Sequence, residues 1–173
     1  MRTACLVLVV ATGLAAQAPA SVTGSITVDK TKVVVKSGSA VSYPGATGQF
    51  VSVLLSDKPM DSKTFKEYTR IGPGERYVPG TFEGAWASLH TEKQGSGFAF
   101  SMDAKQQVLT NQILIGGQDG MFTLASDDLV LEIKSVSPRL TGRIRSREAV
   151  LDLGAHKVSL DMTFDVAVTE AGK

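Results

Sequence analysis

The stretch VSLDMTFDVAV at residues 158–168 decides the predicted fold, because its apolar and polar residues alternate strictly. The apolar set is Leu160, Met162, Phe164, Val166 and Val168, and the other set is Asp161, Thr163, Asp165, Ala167 and Thr169. Successive side chains of a β-strand point to opposite faces, so one face of this strand lies in a core and the other lies in water. The pattern predicts a strand of an antiparallel sheet.

Further strand patterns precede this segment, separated by Gly, Pro, Asp and Ser. FVSVLL at 50–55 is almost continuously apolar, which indicates a central strand covered on both faces. Many short strands between turn signals predict an all-β fold, an antiparallel β-sandwich (Ig-like or similar), with a barrel as the open alternative. A parallel α/β sheet needs several crossover helices, whereas the sequence predicts one short helix near residues 61–70.

The N-terminus has the pattern of an export signal. Met1 and Arg2 form a positive start, an apolar stretch runs from Leu6 to Ala16, and APA at 18–20 is a signal-peptidase pattern. We therefore expect residues 1–20 to be a cleavable signal peptide and residues 21–173 to form a single β-rich domain. The apolar stretch is shorter than the roughly 20 residues that span a bilayer, so the mature chain is predicted to lack a transmembrane segment. The expected location is periplasmic or extracellular.

Charge and cysteine content restrict the partners and the source of stability. The chain has 18 Lys+Arg and 17 Asp+Glu, so loss of Arg2 with the signal leaves a neutral mature chain. A neutral chain has no long-range attraction for nucleic acid, and we predict no nucleic-acid partner. The single cysteine, Cys5, lies in the signal, so the mature core must be stable without a disulfide.

A row of arginines is the first candidate for an interaction surface. Four arginines occupy odd positions near the C-terminus: Arg139, Arg143, Arg145 and Arg147. If residues 140–147 form a strand, the last three lie on one face about 7 Å apart, and guanidinium groups hold carboxylates and phosphates well. The simpler interpretation is cross-strand pairing. A hairpin would place Asp161 opposite Arg143, and it would likewise place Asp165 opposite Arg139.

Aromatic residues are concentrated between positions 77 and 100, and they are the second candidate. Trp86 and Phe82 lie near Gly80 and Gly84 and are the ones to test for exposure. Such a cluster lines a ligand pocket in some proteins and is the core of the sheet in more of them. The predicted interaction surface therefore comprises Arg143, Arg145, Arg147, Trp86 and Phe82.

No catalytic, cofactor-binding or metal-ligating residues are predicted. The sequence has no G-x-S-x-G elbow, no phosphate-binding glycine loop and no metal-ligand spacing. His90 and Glu92 share a strand face and form a conceivable general base or half of a zinc site. His156 falls in a turn, and for both histidines a surface position is the simpler interpretation.

Two groups of short motifs resemble those of small exported bacterial β-rich domain proteins. They are VSVLLSDKP at 51–59, and LTGRI at 140–144 with VSLDMTF at 158–164. The resemblance implies an all-β fold and a bacterial envelope location. It assigns no activity, so no residue role follows from it.

Three functional hypotheses follow in order. The first is an exported, non-catalytic binding or structural module of the cell envelope, whose partner is an envelope protein or a small ligand. The second is a β-barrel carrier for a small apolar ligand, since a barrel of about eight strands can hold one such molecule. The third is a hydrolase or metal-dependent enzyme assembled from distant residues.

Overall fold

A computed structural model describes residues 19–45, 48–60, 95–116 and 121–171. Of these residues 67% lie in strands and none lies in an α-helix, which confirms the all-β prediction. The predicted helix at 61–70 lies outside the described residues, as do Phe82, Trp86 and the pair His90 and Glu92. Residues 1–18 of the predicted signal peptide lie outside them too.

The described residues form eleven strands and one short 3₁₀ turn, Ser126–Asp128. The strands are β1 (Ser21–Val28), β2 (Thr31–Val34), β3 (Ser37–Gly45), β4 (Gly48–Ser56), β5 (Gly97–Met102), β6 (Val108–Leu114), β7 (Met121–Phe122), β8 (Leu129–Ser135), β9 (Arg139–Ser146), β10 (Leu151–Asp152) and β11 (Lys157–Glu170). No helix among the described residues is long and apolar enough to cross a membrane.

Strand β11 is the centre of the sheet. It pairs antiparallel with β1 on one side and with β9 and β10 on the other, and β8 extends the sheet beyond β9. Its last residues, Val168–Glu170, pair in parallel with Ala40–Ser42 of β3. From β3 the order continues antiparallel through β4, β5, β6 and β7. The result is one curled sheet with the shape of a half-barrel.

The parallel contact between β11 and β3 departs from the predicted all-antiparallel pairing. Strand β11 has 14 residues, and its pairing with β1 ends at Asp165. The residues beyond it have backbone groups that still need hydrogen-bond partners, and β3 provides them for Val168–Glu170. This contact joins the two groups of strands into one sheet.

The concave side of the sheet contains the main apolar cluster. Leu160, Met162, Phe164 and Val166 of β11 are buried in it, as their period of two predicted. The rings of Phe100 and Phe164 lie 6.2 Å apart between centroids, so β5 and β11 pack against each other across the core. Burying each large apolar side chain contributes roughly 1.5–3 kcal/mol, which makes this face the main source of stability.

Strand β4 is buried on both faces, which confirms the prediction from its continuous apolar run. Val51, Val53 and Leu55 face the main cluster, while Leu54 belongs to a second cluster. That second cluster includes Val41, Tyr43 and Ala99 of the flanking strands.

Candidate functional site

The convex side of β1, β11, β9 and β8 presents polar and charged side chains, and we call it the outer face. Cross-strand partners lie on the same face of a sheet, so the register defines its members. Its polar and charged members are Ser21, Thr23, Ser25, Thr27, Glu132, Ser135, Arg139, Thr141, Arg143, Arg145, Ser159, Asp161, Thr163 and Asp165. The outer face therefore combines hydroxyls, guanidinium groups and carboxylates on a regular grid.

Two of the arginines form the ion pairs that the sequence suggested. The Nε of Arg143 donates to Oδ1 of Asp161 at 2.8 Å, and its Nη2 donates to Oδ2 at 2.6 Å. The Nε of Arg139 donates to Oδ1 of Asp165 at 2.6 Å. These pairs bring β9 and β11 together on the outer face.

The register of these pairs differs from the predicted one by two residues. Arg143 lies directly opposite Thr163, and Asp161 lies opposite Arg145. The long guanidinium side chain of Arg143 therefore reaches its carboxylate diagonally, across a distance that long side chains span readily.

The ion pair between Arg143 and Asp161 keeps both groups charged. The hydrogen bond from Arg143 is the main cause that lowers the pKa of Asp161, with smaller contributions from the charges of Arg143 and Arg145. The same hydrogen bond raises the pKa of Arg143. Both oxygens of this carboxylate are occupied by one guanidinium group, so its charge is largely neutralised locally.

Arg145 differs from these two arginines because it lacks a close carboxylate among the described residues. Its Nη2 lies 4.0 Å from Oε1 of Glu132, which is the limit of an ion pair. Its Nη1 donates a long hydrogen bond of 3.4 Å to the carbonyl of Ser146. Its side chain is 35% exposed, so the guanidinium group remains accessible to a ligand.

Arg147 does not continue the strand face, which corrects the prediction that Arg143, Arg145 and Arg147 form one stripe. Strand β9 ends at Ser146, whose hydroxyl donates to the carbonyl of Leu160 at 3.3 Å and accepts from its amide at 3.4 Å. A side chain thus takes the place of the backbone ladder at this position. Residues 147–150 then leave the sheet before β10 begins.

Residues 147–150 form an exposed connection between β9 and β10, which we call the bulge. Hydrogen bonds join it to the 3₁₀ turn. The backbone amide of Arg147 donates to the carbonyl of Asp128 at 2.7 Å. The Nε of Arg147 donates to the carbonyl of Asp127 at 2.5 Å. Arg147 is therefore fixed through its backbone and its Nε, and neither contact neutralises its charge.

A cleft of about 280 Å³, which we call the bulge cleft, lies between this bulge and the sheet. Its wall includes Ser25, Arg145, Arg147, Glu148, Ser159 and Asp161. Within the described part of the chain, the hydroxyls of Ser25 and Ser159 form no hydrogen bond to protein. The cleft thus contains two guanidinium groups and two available hydroxyls, all of which are hydrogen-bond donors.

A second polar contact joins two turns at the end of the sheet. The Nδ1 of His156 lies 2.8 Å from Oδ2 of Asp29, and the amide of Lys157 donates to Oδ1 of Asp29 at 2.8 Å. An ionised carboxylate only accepts, so Nδ1 bears the hydrogen and Nε2 points away from this bond. The imidazole edge also packs against Phe122, with 4.9 Å between the ring centroids.

The contact between Asp29 and His156 is one that the sequence analysis missed. The residues lie 127 positions apart, so no local motif connects them. The hydrogen bond from His156 is the main cause that lowers the pKa of Asp29, followed by the bond from the Lys157 amide. An aspartate that orients a histidine resembles half of a catalytic triad. Among the described residues, however, no nucleophile contacts Nε2.

A larger cleft of about 470 Å³ lies between the β3–β4 hairpin and the end of β11, and we call it the strand-end cleft. Its wall combines Tyr43, Pro44 and Gly45 with the polar residues Gln49 and Glu170. Phe98 does not line this cleft and is fully buried in the main cluster.

Searches for metal sites and for related proteins give no further assignment. The described residues contain no group of three His, Cys, Asp or Glu side chains that could hold a metal ion. No protein-family model, curated protein or solved structure matches the chain.

Proposed function

We propose that this protein is an exported, non-catalytic binding module of the cell envelope that engages its partner through the outer face. The observation that supports this most is that the arginines of the outer face differ in their ion pairing. Arg139 and Arg143 form close ion pairs with Asp165 and Asp161, while Arg145 beside the bulge cleft has no carboxylate closer than 4.0 Å among the described residues. A rigid charged surface with an adjacent cleft suits recognition, because little entropy is lost when a partner binds.

Export is the second part of this proposal. Strand β1 begins at Ser21, the first residue that remains after the predicted cleavage, and Ser21 pairs with Asp165. Removal of residues 1–20 therefore leaves all eleven described strands intact. The architecture that fits this proposal is a β-sandwich, and its support is the main cluster, which lies between β1, β9 and β11 on one side and β4 and β5 on the other.

Site-specific photo-crosslinking in the exporting cells tests this proposal. A photoreactive residue replaces Thr163, which is exposed at the centre of the outer face beside Arg143. The matched control replaces Lys105, which is exposed in the turn between β5 and β6. We expect a discrete adduct of the processed protein at position 163 and none at 105. Equal adducts at both positions, or none at 163, would contradict the proposal.

A carrier for a small apolar ligand is the second candidate, and the strand-end cleft favours it. Its volume falls in the range of roughly 300–1,000 Å³ that is typical of small-molecule sites. Tyr43 and Pro44 give it an apolar wall. Native mass spectra of the mature protein, purified gently from the cells that export it, test this function. A bound small molecule that a Tyr43→Ala variant loses would support it, and a bare polypeptide mass would remove it.

A further inference from the structure

We propose that the bulge cleft binds a small oxyanion, a phosphate or carboxylate group, between Arg145 and Arg147. The inference rests on the proposed function in one respect, namely that the outer face is the binding surface. It adds the chemical class of the ligand and the two residues that select it.

Arg145 and Arg147 give the bulge cleft its positive charge. Both arginines lie in the wall of the same cleft, and neither forms a close ion pair among the described residues. Arg147 donates its Nε to the carbonyl of Asp127, which leaves its two Nη groups for a ligand. A planar guanidinium group presents paired N–H donors that match the oxygens of phosphate and carboxylate.

Acidic residues in the wall of the cleft would compete with an anionic ligand for the two arginines. Asp161 is in the wall of the cleft, but both of its oxygens accept from Arg143. Glu148 is exposed on the bulge and forms no ion pair within the described part of the chain. Glu132, whose Oε1 lies 4.0 Å from Nη2 of Arg145, is not in the wall of the cleft. Glu148 is therefore the carboxylate in the wall whose removal should strengthen anion binding.

Two serine hydroxyls and the volume of the cleft also suit an oxyanion. Ser25 of β1 and Ser159 of β11 add hydroxyl groups from the side of the cleft that the sheet forms. Charge-assisted hydrogen bonds from guanidinium groups are roughly twice as strong as neutral ones, and the hydroxyls complete the coordination of an oxyanion. A cleft of about 280 Å³ admits a phosphate ester or a small dicarboxylate.

Titration of the mature protein with inorganic phosphate, followed by amide chemical shifts, tests the inference. A sodium chloride titration at equal ionic strength is the reference. We expect saturable shifts confined to Ser25, residues 145–149 and residues 159–161, and none with chloride. Arg145→Gln and Arg147→Gln should each weaken phosphate binding about tenfold, since each removes a charge-assisted contact. Glu148→Gln should tighten it.

Lys105→Gln is the matched control. It also removes one positive charge, and it lies in the exposed turn between β5 and β6, outside the cleft and the outer face. We expect it to leave phosphate affinity unchanged. Succinate in place of phosphate identifies which oxyanion the site prefers. If Arg145→Gln unfolds the protein, Arg145→Lys, which keeps the charge but not the planar fork, should bind with intermediate affinity.

Linear, unsaturable shifts, equal shifts with chloride, or equal weakening by Lys105→Gln would each overturn the inference. These failures differ from failure of the proposed function. A protein that binds no phosphate but still crosslinks at position 163 retains the binding-module function and loses only the oxyanion site. A protein that binds phosphate without any crosslink loses the envelope partner instead.

Discussion

At the scale of single residues, Gly24 shows how the backbone of the outer face is fixed. Its φ is +125°, and a Cβ atom at this position would lie 2.1 Å from the carbonyl oxygen of Asp161. Gly24→Ala should therefore destabilise the protein by about 3 kcal/mol or more, since backbone strain and overpacking each cost roughly 1–3 kcal/mol. The free energy of unfolding in urea measures this effect.

Gly154 provides the matched control for that variant. Its φ is also positive, at +77°, but no atom lies within 4 Å of the position of its Cβ. Gly154→Ala should cost only the backbone strain, about 1–2 kcal/mol. If the two variants lost the same free energy of unfolding, the close approach of β1 to β11 would not be the reason for a glycine at position 24.

Asp29 predicts a dependence of stability on pH. Its pKa is lowered in the folded state, chiefly by the hydrogen bond from His156, so folding favours the ionised form. The resulting stability is present above the pKa of an unfolded aspartate, about 3.9, and is lost as the pH falls through the lower folded value. In His156→Gln the pKa of Asp29 should rise toward its unfolded value. We therefore expect a shallower acid-side loss in that variant, measured as the urea midpoint against pH.

At the scale of secondary-structure elements, β4 and β11 should respond differently to alanine substitutions at adjacent positions. Leu54 and Leu55 of β4 are both fully buried, on opposite faces. Leu54→Ala and Leu55→Ala should each cost about 2–5 kcal/mol. In β11, Met162→Ala should lower the free energy of unfolding by as much. Thr163→Ala, on the exposed face, should change it by no more than about 0.5 kcal/mol. A small effect of Leu54→Ala would contradict burial of both faces.

At the scale of the whole molecule, the main cluster predicts a single unfolding transition. It contains residues of both strand groups, for example Ile26 of β1, Phe100 of β5 and Phe164 of β11. Calorimetric and van't Hoff enthalpies of the mature protein should therefore agree. Because Cys5 belongs to the predicted signal peptide, a reducing agent should leave the midpoint unchanged. Two transitions would contradict the single-domain prediction.

Local patterns explain why much of the fold was predictable. The period of two in residues 158–168 identifies the buried face of β11, and the apolar run at 50–55 identifies a strand covered on both sides. The same period places Asp161 on the outer face, where the predicted ion pair with Arg143 forms. Each of these features depends on neighbours within a few residues.

The remaining features depend on contacts that no local pattern encodes. The end of β9 is set by the hydroxyl of Ser146, which bonds to Leu160 across the sheet. Arg147 lies just beyond this end of β9, and Ser146 and Arg147 both line the bulge cleft. The contact of Asp29 with His156 likewise follows from the pairing of β1 with β11. The register between distant strands would have to be known before either feature was visible.

Crosslinking from position 163 in arginine variants is the most direct test of the central claim, which is that the outer face binds through Arg145 and Arg147. The double variant Arg145→Gln/Arg147→Gln and the control Lys105→Gln, which lies outside the outer face, are expressed in the exporting cells with the same photoreactive residue. We predict that the adduct disappears in the double variant and persists in the control, with both proteins folded. An adduct that survives in the double variant, or that both variants lose equally, would contradict the claim.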